Sequence, residues 1–172
     1  TGIIVGASSS ATTTVDSNTI EDFDATEGVG IDSTAFDQSG LTVEDNILSN
    51  NGLQISFDAD QNADTLRSSN TYPERVEVLV SEDGSLTANV IHGTLDAAVD
   101  DTADNDFVAV SPGTYDESGL TLPDTGTNSE VRGVTIESTD GPAATTITPV
   151  SAGGTILSPD NNGVVISGFS ID

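Results

Sequence analysis

Three six-residue segments of this chain share one pattern. Residues 15–20 read VDSNTI, residues 43–48 read VEDNIL and residues 166–171 read ISGFSI. Each runs apolar, two turn formers, Asn or Phe, any residue, apolar. A second set has Gly, apolar, any residue, apolar: residues 2–5 (GIIV), 28–31 (GVGI) and 52–55 (GLQI). Apolar residues two apart mark strands with one buried face. From Gly2 to Gly28 to Gly52 the second pattern recurs about every 25 residues, a repeat length that marks a β-solenoid when its units are short strands. One coil cannot bury its apolar stripe alone; stacking coils about 4.8 Å apart buries it.

The alternation assigns inward positions to Ile3, Val5, Val15, Ile20, Val29, Ile31, Val43, Leu48, Leu53 and Ile55, and points Asp16, Glu44 and Asp45 to solvent. Asn18 and Asn46 occupy one position in successive coils. Stacked asparagines at a turn can hydrogen-bond to each other and to backbone, so the pair is expected to form a ladder. After Phe57 the pattern breaks: residues 58–70 are polar around Leu66. Residues 75–80 (RVEVLV) then restore a strand, with Val76, Val78 and Val80 on one face, and 82–85 read as a turn. Further coil strands are expected at Leu120/Leu122, Val134/Ile136, Ile147, Ile156 and Val164/Ile166.

Residues 94–115, TLDAAVDDTADNDFVAVSPGTY, differ in kind. Thr94 reads as an N-cap, with Asp96 favourable in the first turn. Leu95, Ala98, Val99 and Ala103 share one helical face, predicting a helix over 94–104. A buried strand at 107–110 and a Pro-Gly turn follow. This segment resembles the N-terminal cap of secreted right-handed parallel β-helix proteins of the pectin-lyase-like superfamily, especially haloarchaeal members. The resemblance implies a cap helix that covers the open end of a solenoid. In that family the cap comes first, whereas here it lies in mid-chain. The expected fold is therefore all-β: a right-handed parallel β-helix with one short capping α-helix and permuted order. Residues 1–72 would be later coils, 73–93 an exit strand and linker, and 94–172 the cap and first coils. Each coil is expected to take roughly 21–28 residues.

Charge narrows the function. Asp and Glu number 29 against 3 Lys plus Arg, a net −26. The basic residues are Arg67, Arg75 and Arg132. Such a surface opposes nucleic acid and anionic membranes as partners. It fits high salt, where screening shortens to roughly 3 Å at 1 M. There is no Cys or Met, no apolar run long enough to span a membrane and no Asn-X-Ser/Thr sequon. Starting at Thr1 without Met, the chain reads as processed or excised.

Enzymes of the superfamily use acidic clusters on coil faces, and its lyases add a basic residue and usually Ca²⁺. No matching motif is found. The arginines read as partners of surface carboxylates, Arg132 included. Inverting glycosidases need carboxylates roughly 6.5–9.5 Å apart. The pairs Asp22/Asp24, Asp58/Asp60, Asp100/Asp101 and Asp104/Asp106 are available, but in so acidic a chain each reads as solvated surface. Asp58, Asp60 and Asp64 are the one candidate Ca²⁺ set, without the EF-hand Gly and Glu. Single His92 suits helix entry rather than zinc or a triad. No catalytic residue and no cofactor is assigned.

The expectation is a structural subunit or repeat of an extracellular filament or cell-surface fibre, adapted to high salt and stacking head to tail with copies of itself. Cell-surface polysaccharide is a further candidate partner. The rivals are a polysaccharide lyase or hydrolase and a carbohydrate-binding adhesin or viral tail-fibre module. The assembly residues would be Ile3, Ile4 and Val5 at one end and Val164, Ile166, Phe169 and Ile171 at the other. Joining the ends makes the step from Ile166 to Val15 one plausible coil, somewhat shorter than the step from Val15 to Val43.

Overall fold

The computed structural model describes residues 2–5, 12–23, 28–34, 40–57, 61–79, 86, 89–117, 120, 133–149 and 163–172. It is a β-solenoid of stacked, mainly parallel coils. The chain divides into two units, one of residues 1–73 and 89–93, the other of 74–88 and 94–172.

In the first unit the strands are β1 (Ile3–Ile4), β2 (Thr13–Asp16), β3 (Thr19–Glu21), β4 (Val29–Ser33), β5 (Leu41–Glu44), β6 (Ile47–Ser49), β7 (Leu53–Phe57) and β9 (Val90–His92), with helix α1 (Ala63–Ser69). Three faces stack in parallel. Ile3 pairs Ile31, which pairs Ile55; Val15 pairs Val43; Ile20 pairs Leu48. The coil from Ile3 to Ile31 is longer than the coil from Ile31 to Ile55. Val5, Val15, Ile20, Ile31, Val43, Leu48 and Ile55 are buried. Ile3, Val29 and Leu53 are only half-buried. Asp16, Glu44 and Asp45 face solvent.

The third coil departs from the expectation. Where a strand should follow β7, α1 packs instead on β5. The polar run conceals a short helix: Asn62 caps it by accepting from Thr65 N at 3.0 Å, Asp64 lies in the first turn, Arg67 in the last, and Leu66 is its buried residue. At Asn70 the backbone becomes extended and Thr71 rejoins the coil beside Ile47. Strand β9 then closes on β7 in the antiparallel sense. It lies so close that a Cβ on Gly93 would sit 2.1 Å from Asn51 O.

The second unit holds β8 (Val76–Leu79), α2 (Leu95–Asp100), β10 (Phe107–Val110), β11 (Gly113–Glu117), β12 (Thr135–Ser138), β13 (Thr145–Pro149), β14 (Val165–Ser167) and β15 (Ser170–Ile171). One face stacks β10, β12 and β14 in parallel; another stacks β11, β13 and β15. Strand β8 pairs antiparallel with β10. The core joins Val76, Val78, Leu95, Ala98, Val99, Val108, Val110, Tyr115, Leu120, Val134, Ile136 and Ile147. The helix is shorter than the 94–104 expected. It ends at Asp100, where Asp101 N–H bonds back to Ala98 O, and Ala103 is exposed rather than on the buried face. Coils here are also longer than expected, because Thr135 pairs with Val165 and Gly113 with Thr145. The strands expected at Val80, Leu122 and Ile156 and the turn at 82–85 lie outside the described residues.

Candidate assembly interface

In each unit one side of the stack is covered and the other is open. In the first, β9 covers β7 and α1 covers β5. Among the described residues nothing pairs the outer edges of β1, β2 and β3. In the second, β8 covers β10, and α2 packs on β8, β10 and β11. The outer edges of β14 and β15 have no strand partner among the described residues. An open parallel edge presents a row of unused N–H and C=O groups, a template for further strands.

The edge at β14 and β15 exposes apolar side chains, while on β2 and β3 the exposed residues are Thr14, Asp16, Thr19 and Glu21. Val165 is 52% exposed, Ile166 42% and Ile171 66%. Ile4, on β1, is 68% exposed. Of the other residues assigned to the ends, Ile3, Val164 and Phe169 are half-buried, and Val5 is buried rather than exposed. Val164 and Phe169 pack on the core of their own unit. Sequence reasoning misses Val165: a strict period of two turns it away from the interior, but at an uncovered edge both it and Ile166 meet solvent. Beneath the last coil lies an apolar cavity of about 170 Å³, lined by Leu95, Leu120, Ile136, Ile147, Ile166, Phe169 and Ile171.

Polar groups set the register at the corners. Asn18 Nδ2 donates to Asn46 Oδ1 at 2.9 Å, and Asn46 Nδ2 to Asn70 Oδ1 at 2.9 Å. The backbone N–H groups of Asn18 and Asn46 donate to the same oxygens at 3.0 and 3.1 Å. The third rung, Asn70, escapes the sequence pattern because α1 separates it from its strand. Asn51 makes a second corner, accepting from Phe23 N at 3.2 Å and donating to Ile20 O at 3.1 Å. The residue before Asn18, Phe23, Asn46 and Asn51 adopts positive φ: Ser17 (58°), Asp22 (65°), Asp45 (54°) and Asn50 (51°), whereas Asn70 follows the helix. Asp and Asn tolerate this left-handed region better than most side chains. The last coil turns the same way at Gly168, φ 81°, ahead of Phe169.

The cap is held by one buried acid. Thr94 Oγ1 accepts from Ala97 N at 3.3 Å and so caps α2. Leu95, Ala98 and Val99 are fully buried beneath it. Glu117, on β11 and 4% exposed, accepts from Leu95 N at 2.8 Å. Burial pushes its carboxyl up to about 7; the N–H groups of Leu95 and Asp96 oppose the shift, and the charges of Asp96 and Asp116 add to it. This contact links cap to coil, and Leu95 also lines the apolar cavity beneath the last coil.

The remaining candidates are dispersed. Arg67 pairs with Asp64 on α1, and Arg75 Nε lies 3.4 Å from Glu77. Asp58, Asp60, Asp24 and Arg132 lie outside the described residues. Asp100 and Asp101 are exposed at the end of α2; burial and the neighbouring Asp96 and Asp101 raise the carboxyl of Asp100. Asp104 is exposed, while Asp106 turns inward to accept from Ala103 N at 2.7 Å. His92 closes β9 just before the cap of α2, buried. Among the described residues no three His, Cys, Asp or Glu side chains are grouped to hold a metal. No helix of the described residues is long and apolar enough to cross a membrane. Comparison with family models, curated proteins and solved structures returned no match to this chain.

Proposed function

We propose that this chain is a structural β-solenoid unit of an extracellular filament or surface fibre, stacking head to tail with copies of itself in high salt. The observation that carries the reading is the apolar open edge at Val165, Ile166 and Ile171, set above a core cavity. In each unit the opposite side of the stack has a helix and an antiparallel strand against it. Two open edges of different composition make a heterologous contact, and such contacts that do not close a ring grow filaments. The extracellular setting follows the resemblance of residues 94–115 to caps of secreted proteins. High salt follows from the net −26, which would otherwise hold copies apart. Electron microscopy of the purified chain in molar NaCl tests the reading. Filaments one subunit wide support it. Discrete single particles at every salt concentration overturn it, and turnover of an acidic polysaccharide would favour an enzyme instead.

A further inference from the structure

The first unit shows how one coil seats on the next. At the β2–β3 and β5–β6 corners the order is strand, one residue at positive φ, an inward Asn, strand. The ladder has a direction. In each coil the corner residue gives its backbone N–H to the Asn Oδ1 of the following coil: Asn18 to Asn46, then Asn46 to Asn70. Asn18 is the first rung. Its Nδ2 is used by Asp16 O and Asn46 Oδ1, while its own Oδ1 accepts from no donor among the described residues. An acceptor of this kind is filled in the interior rungs by a backbone N–H from the coil before.

The last coil of the second unit repeats the corner. Strand β14 ends at Ser167, Gly168 holds φ 81°, Phe169 turns inward onto the core, and β15 begins at Ser170. Phe169 N–H therefore stands where the N–H groups of Asn18 and Asn46 stand. Both open edges run parallel to the strands beneath them, in the same order along the chain. Gly at the bend and Phe at the corner end the asparagine side-chain ladder but keep the backbone donor. Phe169 also brings an apolar ring to the interior, where the neighbouring Ile166 and Ile171 edge is exposed.

Resting on the stacking reading above, we infer that the β14–Gly168–Phe169–β15 corner of one copy seats the β2–Ser17–Asn18–β3 corner of the next, with Phe169 N–H donating to Asn18 Oδ1. The register follows from the corners. Val165 pairs Thr14, Ile166 pairs Val15 and Ile171 pairs Ile20. Val15 and Ile20, already buried within their own unit, then lie directly against Ile166 and Ile171. The occupant is a second copy of this chain. The competing register would pair β14 with β1, whose Ile4 is exposed.

Cysteine pairing reads the joint directly, since the chain has no Cys. Directly paired strand neighbours fall within disulfide range, with Cα atoms about 4.4–6.8 Å apart. Chains carrying Val165→Cys are mixed in molar NaCl with mass-tagged chains carrying Thr14→Cys, and separately with tagged Ile4→Cys chains, then oxidised mildly. The expected result is a shift of the first mixture to a heterodimer, lost on reduction, with no such band in the second. A heterodimer from the Ile4→Cys mixture instead overturns this joint and leaves stacking intact. Oligomers by sedimentation with neither link do the same. Monomers by sedimentation in both mixtures and in the unmodified chain overturn stacking and joint together.

Discussion

Asn46 carries the polar order of the first unit. It is completely buried, yet its Nδ2 reaches Val15 O, Glu44 O and Asn70 Oδ1, each at 2.9 Å, and its Oδ1 accepts from Asn18. Three coils meet at this one side chain. Removing it leaves several buried groups without partners, each costing about 1–3 kcal/mol. Asn46→Ala is therefore expected to destabilise the protein by roughly 2–4 kcal/mol, read as a lower midpoint in chemical denaturation. Asn18→Ala, at a half-buried first rung, should cost less. Equal losses at the two positions would contradict the ladder's polarity. The spacing of Asn18 and Asn46 was legible because both follow strands of one pattern. Asn70 was not, because it follows a helix, and only its distance from Asn46 marks it.

At the scale of elements, the strands of the first two coils were readable because each has one buried face, and a period of two records that directly. Helix α1 was not readable in this way. It buries little beyond Leu66, so its signal lies in the cap at Asn62 and the charges of Asp64 and Arg67 rather than in an apolar stripe. The antiparallel pairings of β8 with β10 and of β9 with β7 were also invisible, since strand direction leaves no trace in burial pattern. The cap helix was readable from Thr94 and its apolar face, but its link to Glu117 was not, because that contact joins positions far apart in the chain. That link makes a pH prediction. Unfolded, the Glu117 carboxyl returns to its ordinary 4.5; folded, it keeps its proton up to about 7. The folded state thus binds more protons between these values, and stability declines as pH rises through that window. The loss at higher pH is on the order of 3 kcal/mol for this buried group. Glu117→Gln cannot ionise, so its fall in melting temperature between pH 4.5 and pH 8 should be smaller than that of the unmodified protein. An equal fall in both would show that Glu117 does not titrate in this window.

The whole molecule combines an acidic surface with an apolar open edge at β14 and β15. With net −26, like charge opposes both compaction and the approach of a second copy. Screening at molar salt confines these forces to about 3 Å. The melting temperature is therefore expected to rise from low to molar NaCl; an unchanged value would contradict a folded state strained by its own charge. Function was less legible than fold. Repeats declare a solenoid, but the residues of an edge are apolar whether they meet a core or a neighbour, and only the structure shows Ile166 and Ile171 exposed where Val15 and Ile20 are buried. The most direct test of end-to-end stacking is sedimentation velocity in molar NaCl across protein concentration, comparing the unmodified chain with Ile166→Asp and Ile171→Asp. The account predicts species that grow with concentration for the unmodified chain and a monomer for each variant, with the circular dichroism of all three alike. A monomer at every concentration for the unmodified chain, or growth undiminished in both variants, would contradict it.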